Sequence, residues 1–172
     1  QGTTEEFAIA ISNKAGPALK IYGKDIEEGV AVLSVFARQN LKAAAAGTML
    51  DRLLRQLSMQ ALRNKAAFKK YGIEVFDSTG AMRNMADIVE DFERVLGPMS
   101  DEVRSATIMQ LGFEARMRNA ILPLLGTSKE IRNYEEALRS AGGFTETVFQ
   151  KQMQAFTNQM KMVRNNVLRM AI

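Results

Sequence analysis

The stretch KKYGIEVFDSTGAMRNM, residues 69–85, is the one part of this 172-residue chain that does not read as helix. Tyr71-Gly72 has the form of a helix end, and residues 73–76 are a short β-prone run. Asp77-Ser78-Thr79-Gly80 is a four-residue turn with Asp first and Gly where a positive φ is wanted, and Ala81-Met82 is the returning arm. The reading is a small β-hairpin near residues 73–82. A hairpin this short holds only with its apolar side laid on other elements, so its role is that of a rigid spacer setting the angle between two helices. It has too few acids for a calcium loop, and no Gly-x-x-x-x-Gly-Lys-Ser/Thr cradle occurs in the chain.

On both sides of this stretch the chain reads as helices. Thr3-Thr4-Glu5-Glu6, Asp25-Ile26-Glu27-Glu28 and Thr127 with Glu130 fit capping boxes, in which the Glu reaches back to the cap amide. Ser100 before Asp101 and Glu102 places a cap and two acids at a helix's positive end. Apolar residues follow at helical spacing: Ile26, Val30, Leu33, Ala37; Leu50, Leu53, Leu54, Leu57; Met85, Ile88, Val89, Phe92, Val95, Leu96; Phe113, Met117, Ala120, Ile121, Leu124. Gly16-Pro17, Gly97-Pro98 and Gly142-Gly143 punctuate the series.

The composition removes most chemistry. With no His and no Cys, imidazole or thiolate metal sites, Cys nucleophiles, Ser-His-Asp triads and disulfides are impossible within these residues. No apolar run has the length of a membrane span; "VAVLSVFA" and "AILPLLG" are short and read as amphipathic. The acids Asp87, Glu90, Asp91 and Glu93 lie close together on one helix, and they read as a solvated face opposite the Ile88, Val89, Phe92 stripe rather than as carboxylates across a cleft. No catalytic, cofactor-binding or metal-ligating residue is assigned, and the expectation is a non-enzyme.

Residues 1–146 hold 19 Lys/Arg and 19 Asp/Glu, so the excess of +4 comes from Lys151, Lys161, Arg164 and Arg169. These charges are too sparse for a nucleic-acid footprint. The same segment carries Phe149, Met153, Phe156, Met160, Val163, Val167 and Met170 at spacings of four and three in alternation, a heptad seam. With the opening Gln1 and the break in mid-pattern, the expectation is a segment of a longer chain. The fold expected is all-α: a multi-helix module over residues 1–143 with one small hairpin, then a long coiled-coil helix over 144–172 whose seam is the oligomer interface. An alternative is that this last helix docks on the preceding bundle.

The ordered series Ala46-Gly47-Thr48, Gly72-Ile73-Glu74-Val75-Phe76-Asp77-Ser78-Thr79-Gly80, Met99-Ser100-Asp101-Glu102, Leu111-Gly112-Phe113-Glu114-Ala115 and residues 134–143 resembles the core region of phage tail tape measure proteins of the lactococcal-phage type. The resemblance covers roughly residues 17–143, and Leu111-Gly112-Phe113 departs from that family's Phe-Gly order. It implies a structural virion protein in the tail lumen or at the tail tip. Such a protein sets tube length during assembly and leaves before DNA passes. Implied partners are further copies of the chain, as a trimer or hexamer, and tail-tube and tail-tip or baseplate proteins, with no specific nucleic acid and no cofactor. The rival reading is a helical adaptor that holds partner peptides in an exposed apolar groove.

Overall fold

A computed structural model describes residues 10–39, 41–140 and 169 of the chain. Eight α-helices form the described part: α1 (Gly16–Ile21), α2 (Ile26–Arg38), α3 (Ala43–Arg63), α4 (Lys65–Tyr71), α5 (Met85–Leu96), α6 (Asp101–Gln110), α7 (Ala115–Ile121) and α8 (Ser128–Ser140). A π-helical turn, Ala10–Ala15, runs into α1, and a 3-10 turn, Leu122–Leu124, follows α7. The all-α expectation holds. The expected coiled coil over 144–172, with its seam residues Phe149, Met153, Phe156, Met160, Val163, Val167 and Met170, lies outside the described residues, as does the Thr3 capping box.

The centre of the module is α2. Every residue from 28 to 36 is buried, so this helix is covered all round instead of along the single stripe Ile26, Val30, Leu33, Ala37. α8 and α3 cover most of it, with the π turn, α1 and the 3-10 turn closing the rest. The run Val30-Ala31-Val32-Leu33 is what such a position demands, because a helix apolar on every side belongs inside. Its one buried hydroxyl, on Ser34, donates to the Val30 carbonyl at 2.8 Å. Gly29 lets α1 approach: a Cβ there would lie 2.7 Å from a Leu19 methyl.

The other stripes pack as the periodicity predicts. Leu50, Leu53, Leu54 and Leu57 of α3 are at most 1% exposed, and Met117, Ala120, Ile121 and Leu124 face them from the α7 side. Phe113 stands between Phe68 and Phe92 with ring centroids 6.1 and 6.2 Å away, tying α4 and α5 to the α6–α7 turn in edge-on and tilted contacts.

The hairpin is a correction. Phe76 and Met82 form a single antiparallel bridge, and no strand is present among the described residues. Ile73 and Val75 do point inward, at 3% and 2% exposure. Backbone hydrogen bonds flank the bridge, from the Asp77 amide to the Ala81 carbonyl and from the Arg83 amide to the Val75 carbonyl, each at 2.8 Å. Beyond them side chains take over: the Glu74 amide donates to Asp91 at 3.1 Å, Arg83 donates to the Glu74 carbonyl at 2.7 Å, and Arg94 donates to the Gly72 carbonyl at 2.6 Å. The turn itself is as expected, with Gly80 at φ +85 and the Asp77 carboxylate accepting from the amides of Thr79 and Ala81.

The punctuation also differs in part. Gly72 ends α4 in the left-handed conformation, φ +69, as read. Gly16-Pro17 does not stop a helix; the π turn runs directly into α1, and Pro17 sits in the first turn of α1 where the two join. α3 and α4 are separated by a break at Asn64. Its side-chain amide reaches the Leu111 carbonyl at 3.2 Å.

The two faces of α3 should respond oppositely to truncation. Leu54→Ala is expected to lower the unfolding free energy by about 2–5 kcal/mol, whereas Met59→Ala on the outer face should stay within about 0.5 kcal/mol. Denaturant midpoints of the two variants check this; equal losses would contradict the burial pattern.

Candidate functional site

Two features of the module go beyond core packing: a buried polar junction at the N-terminal end of α2, and two exposed helix faces.

The junction begins with Asp25-Ile26-Glu27-Glu28. Asp25 caps α2, accepting from the Glu28 amide at 3.3 Å. Glu28 does not return to the cap amide as a capping box requires. Its carboxylate is 2.9 Å from the Lys24 ammonium, with both side chains at 7% exposure or less, and it accepts from the Met85 amide at 2.8 Å. Lys24 donates onward to the carbonyls of Met82, at 3.3 Å, and Arg83. Burial pushes the Glu28 carboxyl up, against the pull of Lys24 and the Met85 amide. The box at Thr127 is likewise absent: the Thr127 hydroxyl donates to the Leu124 carbonyl, and Glu130 pairs with Arg38. The Ser100 cap forms, accepting from the Val103 amide at 3.4 Å.

The carboxylates of Asp25, Glu28 and Glu135 lie within 4.8 Å of one another. Each already meets a donor of the chain: Arg139 on Asp25 at 2.7 Å, Lys24 on Glu28, and the Asn84 amide on Glu135 at 2.9 Å. Among the α5 acids Asp91 corrects the solvated-face reading, whereas Asp87 and Glu90 keep largely exposed side chains. Asp91 is buried and holds Arg83 at 2.7 Å and Arg94 at 2.9 Å; Asp87 and Glu90 share Arg132 of α8. Burial alone would raise the Asp91 carboxyl, but the Glu74 amide and the two guanidiniums outweigh it and hold it below the usual range. The apolar void between α3, α5 and the end of α7 measures about 10 Å³, about the room of one water.

The exposed faces hold what the sequence reading missed. Residues 52–73 carry six bases and no acid, whereas residues 74–102 carry eight acids and two bases. Summing charge over residues 1–146 hides this; a sliding window would reveal it. All six bases are exposed. On the outer face of α3, Arg52 and Arg55 precede Met59 and Leu62, 42% and 56% exposed. On α6, Glu102 and Ala106 share the outer face with Val103 and Met109, 50% and 64% exposed. Four of the five large apolar side chains exposed among the described residues therefore lie on these two helices.

These features define a helical structural module organised around ion pairs and outward helix faces. The chain belongs to the phage-related minor tail protein family, whose family model matches residues 1–112. No curated protein and no solved structure matches it significantly. It is thus a component of the phage virion tail. No helix among the described residues is long and apolar enough to cross a membrane.

Two measurements test the junction. Lys24→Met leaves the Glu28 carboxylate buried without its cation and should cost about 3–5 kcal/mol, with Glu28→Gln in the same chain recovering part of the loss as a coupling energy. The Asp91 carboxyl is depressed in the folded state, so its stabilisation is complete above the ordinary value of about 4 and is lost as pH falls through the folded value. Glu28 has the opposite sign, losing its contribution as pH rises from its ordinary value through the raised one. Thermal melts between about pH 4 and pH 2 should therefore fall less steeply for Asp91→Asn than for the parent chain.

Proposed function

We propose that this chain is part of a tail tape measure protein: a non-enzymatic rod component whose length sets how far the tail tube grows, and which leaves the tube before DNA passes. The observation that carries the reading is the minor-tail family match over residues 1–112, which contains most of the ordered motif series named above. Each motif in that span serves as a structural device. Ala46 is fully buried at the start of α3, Gly72 and Gly80 supply left-handed turns, and Ser100 caps α6. Gly112, at φ +95, lies against Gln60 and Asn64, where a Cβ would come within 2.4 Å of both side chains. The motif series is a set of fold constraints, as a spacer without chemistry needs.

In this reading the module is an ordered knot on a helical rod, copies bundle as a trimer or hexamer through the seam at Phe149, Met153, Phe156, Met160, Val163, Val167 and Met170, and the bundle lies in the tail lumen or at its tip against tube and tip proteins. An adaptor would need a peptide-sized groove, and the void at the α3–α5 seam is too small for one.

Two tests bear on this. Light scattering of residues 1–172 should give a defined oligomer that falls to a folded monomer with Phe156→Asp and Met160→Asp; monomers in both cases would favour the adaptor. In phage carrying the gene, inserting about 28 heptad-patterned residues into 144–172 should lengthen the tail by about 42 Å at 1.5 Å per helical residue. Unchanged tails in electron micrographs would defeat the length-setting role.

A further inference from the structure

From the charge and spacing of the two exposed helix faces we infer that the module carries a second self-association surface: the outer face of α3 in one copy docks on the outer face of α6 in another. Both faces present large apolar side chains to solvent, which a module at rest would otherwise bury. Their charges are opposite. α3 offers Arg52, which has no charged partner among the described residues, and Arg63, which donates to the Met59 sulfur, while Arg55 pairs with Asp51 of its own helix at 3.0 Å. α6 offers Glu102, with no partner among those residues, while the exposed Asp101 pairs with Arg104 at 3.3 Å.

The two faces also share a seven-residue step. Arg52, Arg55, Met59 and Leu62 follow at three, four and three residues, and Glu102, Ala106 and Met109 at four and three. Both are heptad-type seams on exposed helix faces. Seven residues separate Arg52 from Met59, and seven separate Glu102 from Met109. One parallel register, over about two turns or 10.5 Å, therefore sets Arg52 against Glu102 and Met59 against Met109 at once, with the small side chains of Ser105 and Ala106 opposite Arg55 and Gln56 between them. Duplex DNA is the other chemistry a basic ridge could meet. Met59 and Leu62 stand in the middle of the ridge, where a phosphate backbone would cover them without gain, and the acidic α6 face would have no role.

This contact is independent of the seam at 149–170 and of the length-setting role. The chain has no Cys, so single engineered thiols report it cleanly. Chains carrying Met59→Cys and Met109→Cys are mixed and oxidised in the intact 172-residue form, and again with Phe156→Asp and Met160→Asp to separate loss of the seam from loss of this contact. The 59–109 disulfide should exceed either homodimer roughly fivefold in both backgrounds, because the bond requires adjacent Cβ atoms. Ile21→Cys, equally exposed on α1, should not cross-link to either. Arg52→Glu in the Met59→Cys chain should cut the yield roughly fivefold, and Glu102→Lys in the other chain should restore it. Ile21, Arg52, Met59, Glu102 and Met109 are all exposed, and an unchanged melting temperature verifies folding. Three outcomes overturn the inference: homodimers in excess, a yield indifferent to the charge reversals, or binding of a 20-base-pair duplex that Arg52→Glu abolishes while copies fail to cross-link.

Discussion

The Lys24–Glu28 pair fixes the entry to α5, and the packing of the module follows from that position. Two charges inside an apolar module are expensive unless their remaining hydrogen-bonding capacity is used. Here it is used on backbone that has no other partner. The amide of Met85, at the first turn of α5, cannot bond within its own helix, and Glu28 accepts it. The carbonyls of Met82 and Arg83, where the loop leaves its bridge, receive Lys24. A carboxylate at a helix N-terminus also meets the positive end of the helix dipole. Removing both charges for well-packed apolar groups would save their desolvation and orphan three backbone groups, so the polar solution is the one compatible with this chain path.

That junction explains why a helical module interrupts itself between α4 and α5. A direct helix-to-helix turn would leave α5 free to choose its angle. The loop 73–84 instead leans on α5 through Asp91 and Arg94, folds back through Arg83, and delivers Met85 to Glu28. The same segment is therefore tied at both ends to the helix it introduces and to the buried helix α2. One bridge with its two flanking backbone hydrogen bonds holds the tip of this segment, and side chains hold the rest.

What was legible in the sequence was local. Periodicity found the buried faces of α3, α5 and α7, the Ser100 cap and the left-handed glycines at 72 and 80, because each is determined by residues within one or two turns. Readings failed where a distant partner outbid a near one. Glu28 suits a capping box, yet a buried Lys one turn back and an amide 57 residues away claim it. Asp91 reads as part of a solvated acidic face, yet Arg83 and Arg94 draw it inward. α2 reads by one stripe, although its apolar run goes round the helix; what its own sequence does not name is α8 as the cover. The charge segregation between α3–α4 and the following acids was legible, but only with a window narrower than the module.

The family match ends at residue 112, inside the turn after α6, yet the core does not end there. α8 lies along α2 and α5, with Ile131 and Leu138 at 1% exposure or less, and its polar side chains clamp both helices: Arg132 to Asp87, Glu135 to Asn84, Arg139 to Asp25, Glu130 to Arg38. Without α7 and α8, the runs at Val30–Phe36 and Leu50–Leu57 would each have an uncovered side. The physical unit therefore extends at least to residue 140, beyond the matched span.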